Sequence, residues 1–398
     1  MSARNQTIHA LGDGEYRFGT SGAGPVEERL SALNRARDRF ESINDVLCAS
    51  WCALDMGIIN GTELGNVNEA EVLFEQARDG LTECQEWQSV GLAVAKLANL
   101  AVVQGDVAKA RRQLMSFDER IGVIDATASA SIARAWADVH QAEGNWGASI
   151  IELRKAVCCY ERAMLTHELL GARVQLGEAL VACRRLDEAQ IQADHAEQDS
   201  PAARPIDRAG LSRLRASIAI ARGKTIKGVS QLENALADEH VSPFDELYIR
   251  LEFGNSALLA GNLASAEFEL RRSVELARTL SVPVVLARAL DGLSSCLAQS
   301  GDIAAAFAAA KESVEVDDFA NEHSVIRRVD RCSVALSLAR QAVDTEAIHH
   351  LLAKLIAALE RVDDPRRVAG AVHVAADALR ETGNELAARR LQARLAYH

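Results

Sequence analysis

Aromatic residues make up only 4% of this 398-residue chain, and it has only six prolines. Scarce proline leaves room for long uninterrupted helices, since proline breaks a helix interior. No run approaches the ~20 consecutive apolar residues of a membrane span, and the N-terminus lacks the charged-then-apolar pattern of a signal peptide, so a cytoplasmic protein without membrane contact is expected. No run of Lys and Arg longer than a pair occurs, and the net charge is −12. A surface that tracks phosphates needs the opposite sign, so no direct nucleic-acid partner is expected. No Cys-x-x-Cys occurs among the eight cysteines, which argues against a zinc ribbon or a secreted disulfide framework. No Gly-x-Ser-x-Gly elbow is present either.

Hydrophobic residues account for 48% of the chain, with alanine abundant. Alanine is the best helix former and lets helices approach closely, which favours packed helices over a sheet. Cys48, Cys52, Cys84, Cys158, Cys159, Cys183, Cys296 and Cys332 read as small buried hydrophobes in a reducing compartment. Cys48 and Cys52 can share a helix face, but without a nearby histidine or further cysteine they make no metal site. No metal and no cofactor are expected.

Residues 1–25 are polar and rich in glycine (Gly12, Gly14, Gly19, Gly22, Gly24). The stretch has no Gly-Lys-Ser/Thr and no preceding apolar strand, so it reads as a flexible tail rather than a phosphate loop. Residues 26–43 read as a capping helix with Leu30, Leu33 and Phe40 at helical intervals. From residue 44 to 398 one stencil governs. Anchors at Gly65, Gly105, Gly144, Arg184, Gly223, Gly261, Gly301, Ala342 and Gly383 follow one another at spacings of 38 to 41 residues.

Five residues after the anchors every position is small: Ala70, Ala110, Ser149, Ala189, Gly228, Ala266, Ala306, Ala347 and Ala388. Seven residues before the last eight anchors the same holds: Ala98, Ala137, Gly177, Ala216, Gly254, Ser294, Ala335 and Ala376. A position that is always small in a helix pair is one where the other backbone passes too close for a larger side chain. Pro205, Pro243, Pro283 and Pro365 each precede an anchor by eighteen residues and mark where a first helix begins. The anchor supplies the turn between helices, as Gly followed by Asn or Asp does in six repeats. The stencil therefore describes about nine helix pairs.

A helix pair with these offsets resembles the tetratricopeptide repeat, over roughly Asn44 to the end. The family's usual unit is about 34 residues; the longer unit here is similar to that of bacterial regulators, both the maltose-regulator type and the peptide-responsive type of Gram-positive bacteria. The resemblance implies an all-α, right-handed superhelical solenoid of antiparallel helix pairs. It also implies a concave groove lined by the first helices, which in that family holds an extended peptide or a partner's helix.

Positions thirteen, ten, six, three and two before each anchor are expected to face that groove. They supply a polar belt: Asn99; Arg134, Asp138 and Gln141; Glu178; Arg213 and Ser217; Asn255; Arg288, Asp291, Ser295 and Gln299. Asparagine can donate to and accept from a peptide backbone at once, and arginine offers a planar fork for a carboxylate. Asn99 and Asn255, each six before its anchor, resemble the backbone-holding asparagines of peptide-binding members. Against this stands a plainer reading, solvated residues on an open face, with Arg134 and Asp138 only an i,i+4 pair.

The expected function is a non-catalytic scaffold that binds a peptide or protein segment, in bacterial regulation or signalling. The alternative is a repeat-type transcription regulator, or its sensor subunit, acting through a DNA-binding partner. The array stops without an obvious polar capping helix; Arg389, Arg390 and Arg394 are expected to solvate its outside, the alternative being that the end docks on a partner or a second copy, giving a homodimer through terminal repeats.

Overall fold

The computed structural model describes residues 3–22, 24–118, 125–199, 205–237, 241–319, 325–362 and 368–396. Among them there is no strand. The first helices are α1 (Ala3–Thr20), α2 (Val26–Ser42) and α3 (Val46–Ile59), which runs into one π turn (Asn60–Leu64) before α4 (Val67–Glu83). Three pairs follow: α5 (Trp87–Val103) with α6 (Val107–Asp118), α7 (Ala126–Ala142) with α8 (Trp146–Ala163), and α9 (Thr166–Ala182) with α10 (Leu186–Asp199). The next are α11 (Pro205–Ala221) with α12 (Thr225–Leu236), α13 (Pro243–Leu259) with α14 (Leu263–Thr279), and α15 (Pro283–Ser300) with α16 (Ile303–Phe319). The last are α17 (Val325–Gln341) with α18 (Thr345–Leu359) and α19 (Ala369–Glu381) with α20 (Glu385–Ala396). Pro205, Pro243 and Pro283 are the first residues of α11, α13 and α15; Pro365 lies outside the described residues.

The chain divides into two compact units. One comprises Met1–Val102, Val107–Gln141 and Asn145–Ile249; the other holds Arg250–His398 together with the short turns Val103–Asp106 and Ala142–Gly144.

The small positions of the stencil are where helices touch. Ala98, Ala137, Ala216, Ala335 and Ala376, and Ala70, Ala110, Ser149, Ala189, Ala266, Ala306 and Ala388, all lie at 0% exposure, as contact points must. In the first unit a Cβ on Gly177 would sit 2.5 Å from Leu214 Cδ2, and in the second a Cβ on Gly254 would sit 2.6 Å from Leu270 Cγ. Ser294, the small residue of its repeat, donates to the Ala306 carbonyl at 2.9 Å and so joins the two helices of one pair. Around these points Leu153, Leu170, Leu180, Leu214 and Ile218 interlock in a continuous apolar cluster running from α7 to α11.

The turns follow from one capping geometry. At Gly261 the chain enters the left-handed region (φ 77°), Gly261 N–H donates to Leu258, and Asn262 N–H reaches back to Ala257. This double bond closes the last orphan carbonyls of the first helix. Asn262 Oδ1 then accepts from Ser265 N–H and caps the next helix. In the eighth repeat Val343 (φ 58°), not Ala342, takes the left-handed place, and Asp344 caps α18. The spacing alone set that anchor one residue early.

Two expectations fail at the N-terminus. Residues 3–20, expected to be a flexible tail, form α1, and the expected capping helix α2 is itself covered on one side by α1 and on the other by α3. The glycines that suggested a tail are packing residues instead. A Cβ on Gly12 would stand 2.9 Å from the Phe40 ring, and Gly19 lies directly against Leu33. Arg29, buried at 6%, donates from Nε to the Gly19 carbonyl at 3.2 Å and pairs through Nη1 with Glu63 Oε2 at 2.8 Å. Tyr16 donates its hydroxyl proton to Asp55 Oδ2 at 2.6 Å. Glycine in a helix costs about 1 kcal/mol against alanine, a cost offset here by close approach of a neighbouring helix.

The cysteines also depart from expectation. Cys52, Cys296 and Cys332 are buried, whereas Cys84 and Cys158 are exposed and the other three half-buried. The exposed two fall at the C-terminal end of α4 and on α8.

Candidate functional site

The belt positions sit on successive first helices, so a side chain in one repeat reaches its counterpart in the next. In the first unit this makes a ladder. Asn99 on α5 donates from Nδ2 to Asp138 Oδ2 on α7 at 2.7 Å. Gln175 on α9 donates to the other oxygen, Asp138 Oδ1, while its own Oε1 accepts from Arg134 Nε at 3.1 Å. Arg134 and Asp138, an i,i+4 pair in the plainer reading, are joined through a glutamine from the next repeat.

The ladder continues at Glu178, whose Oε1 lies 2.8 Å from Arg213 Nη2 on α11. The Arg213 guanidinium in turn lies over the Tyr248 ring of α13, 5.1 Å from its centroid. A cation over an aromatic face is attracted by the ring quadrupole, which holds the guanidinium plane in place. Ser217 takes a local partner, donating to the Arg213 carbonyl of its own helix at 3.0 Å. Gln141 donates to Ser149 at 3.0 Å and so faces its own pair rather than the next repeat.

The two acidic members are only half-buried, yet burial pushes both carboxyls above the usual range. At Asp138 the charge of Arg134 and the amides of Asn99 and Gln175 pull the other way. At Glu178 the Arg213 charge opposes burial, while Asp245 and Asp138 add to it. The carboxylates of neighbouring repeats therefore sense one another.

In the second unit, the belt residues Asn255, Arg288 and Asp291 are arranged differently. Asn255 on α13 lies with Oδ1 against Gly292 of α15, 2.6 Å from where a Cβ would stand. Arg288 is exposed on α15. Asp291 accepts from Arg331 Nε at 2.8 Å and from Ser313 Oγ at 2.5 Å. Ser295 donates back to the Asp291 carbonyl of its own helix at 2.9 Å, and Gln299 is exposed.

Sequence reasoning missed Gln175, Tyr248, Ser313 and Arg331. Tyr248 stands thirteen before its anchor, at a belt position, but the belt was drawn from amide, hydroxyl and charged side chains alone. Gln175 is nine before its anchor and Ser313 is on a second helix, outside any offset the repeat marks. Arg331, 5% exposed, is a buried charge, and a buried guanidinium needs a carboxylate nearby.

Comparison with known proteins agrees with this architecture. Among solved structures, a Rap protein complexed with competence and sporulation factor superposes with TM-score 0.58 at 12% identity, over 90% of this chain and 99% of that one. The fold is tetratricopeptide-like. The apo quorum sensor NprR of B. thuringiensis gives 0.54 at 10% identity, over 90% of this chain and 98% of that one. A signal-transduction ATPase with a tetratricopeptide-repeat sensor, from Pyrococcus horikoshii, gives 0.57 at 11% identity over the whole of this chain, which spans 62% of that protein's length. No family model matches the sequence. No curated protein matches it either.

Proposed function

We propose that the first-helix face of this array binds an extended peptide or protein segment, as a non-catalytic regulatory scaffold. The observation that carries the reading is the ladder from Asn99 through Asp138, Gln175 and Glu178 to Arg213 and Tyr248. It places amide, carboxylate, guanidinium and aromatic groups at one step per repeat, each held by a neighbouring repeat. A row with that spacing suits a ligand that is itself periodic along its length, and an extended backbone offers a donor and an acceptor at every residue. Groups already fixed by their neighbours lose little rotamer freedom when a ligand arrives, so affinity is not spent on ordering them.

The likeness to a Rap protein solved with competence and sporulation factor, and to a quorum sensor, supports a regulatory setting. Asn255, Arg288 and Asp291 are assigned the same role on the first-helix face of the second unit. The likeness to a sensor-bearing ATPase supports a second version of the same proposal, in which the bound segment is reported to a partner that carries the output. No homodimer is needed for either.

The test is a selection from a random-peptide display library on the full-length protein, followed by affinity measurement of the enriched peptides. The reading expects enriched peptides whose affinity falls at least about tenfold, a loss of about 1.4 kcal/mol, in a folded Asn99→Ala, Arg213→Ala double variant. Enriched peptides that bind this variant as well as wild type contradict it.

A further inference from the structure

The α1 helix brings to the start of α3 a residue that the sequence holds 39 positions away. His9 points its Nε2 at Asp45 Oδ2, 3.3 Å away, and at Cys48 Sγ, 3.9 Å away. These three ligand atoms lie within 4.8 Å of one another. In a tetrahedral zinc site, metal–ligand bonds of ~2.0–2.1 Å to nitrogen and oxygen and ~2.3 Å to sulfur put neighbouring N and O about 3.3 Å apart and N and S about 3.6 Å apart. Both measured separations lie within a few tenths of an ångström of those edges.

Three further features point to a ligand set. The other ring nitrogen, His9 Nδ1, faces Asp13 Oδ2 at 3.3 Å, the carboxylate partner that fixes the tautomer of a metal-bound histidine and raises its basicity. Edge-on contact with Phe40, at 5.3 Å between centroids, fixes the ring plane. Asp45 already spends Oδ1 on the Cys48 N–H at 3.1 Å, as the cap of α3, so its Oδ2 is oriented toward the histidine.

The charge balance leans the same way. One imidazole faces two carboxylates and a thiol. A divalent ion placed there would meet carboxylate charge and, once the thiol proton has left, a thiolate.

We propose that His9 Nε2, Asp45 Oδ2 and Cys48 Sγ bind a zinc ion, which clips α1 onto the first helix pair and leaves a fourth position open. Binding displaces the proton of the Cys48 thiol to solvent, and the metal takes the thiolate, the carboxylate and the lone pair of Nε2, while the Nδ1 proton stays between His9 and Asp13. Nitrogen, oxygen and sulfur donors in one half-exposed set select zinc over calcium or magnesium, which take oxygen alone. The occupied site would make the docking of α1, which rests on helix packing at Gly12 and Gly19, dependent on metal.

The experiment is a Co²⁺ titration of the full-length, reduced, chelator-treated protein, with cobalt as the spectroscopic probe of the zinc position. The proposal expects thiolate-to-cobalt charge-transfer absorption that saturates at a single equivalent and is abolished by added Zn²⁺. Cys48→Ser and His9→Gln should each remove it, Asp13→Asn should weaken affinity about 10-fold or more, and Cys158→Ser, which removes an exposed thiol elsewhere, should leave it intact. Circular dichroism identifies any variant that has unfolded. For such a variant, Zn²⁺-dependent protection of α1 from proteolysis in wild type supplies the same decision. Absence of the absorption in wild type, or its persistence in folded Cys48→Ser, overturns the proposal and leaves His9 as a packing contact between Asp13 and Asp45.

Discussion

Asn99 Nδ2 donates to Asp138 Oδ2 at 2.7 Å across 39 residues of sequence, one repeat. The same six-before-anchor position thus supplies the donor in one repeat and the acceptor in the next. A double-mutant cycle on Asn99→Ala and Asp138→Ala is expected to show a coupling of about 1 kcal/mol in denaturant unfolding, the usual size for one such bond. Additive effects would mean that the two side chains do not hold each other in solution.

The carboxyls of Asp138 and Glu178 sit above their ordinary range in the fold because burial disfavours their charged forms. A raised carboxyl contributes stability that is fully present below its unfolded pKa, about 4, and is lost as pH rises through the folded value. Glu178→Gln removes that dependence. Its melting temperature relative to wild type should therefore climb as pH rises from about 4 toward neutrality. A difference that stays flat or falls over that range contradicts the assignment.

Val343 is a β-branched residue in the left-handed region (φ 58°), and its side chain is 79% exposed. Little packing is lost on its removal, while the backbone strain of a non-glycine residue there is on the order of 1 kcal/mol. Val343→Gly should raise stability by about that amount in thermal unfolding. Lower stability would show that the turn is held by the side chain.

Gly177 and Gly254 stand at the opposite extreme, each pressed against a leucine of a neighbouring helix. Gly177→Ala should destabilise by about 1–3 kcal/mol through overpacking against Leu214. Neutral behaviour would mean that α9 and α11 have room to separate.

How much of this was legible in advance depended on whether a feature repeats. The small residues at Ala98, Ala137 and Gly177 recur because every repeat brings two backbones together, and each is buried as expected. The anchors recur because each turn needs a left-handed residue, and the one misplacement, Ala342 for Val343, came where no glycine marks the turn. Non-repeating contacts left no such trace. Gln175 completes the ladder from an offset outside those the stencil marks. His9 reaches Cys48 only because α1 folds back, and its glycines were misread as flexibility when they serve close packing. Tyr248 stands at a belt offset, and its ring serves as a platform for Arg213.

The central claim, that the first-helix face holds the ligand, is tested most directly by site-specific photo-crosslinking. A crosslinking side chain is placed at Ser217, on α11 in that face, and in a second sample at Ile151, on α8 and 67% exposed. Each sample is then irradiated with a peptide enriched in the display selection. The account predicts covalent capture from position 217 and none from 151. Capture from 151 without capture from 217 would contradict it and move binding to the second helices.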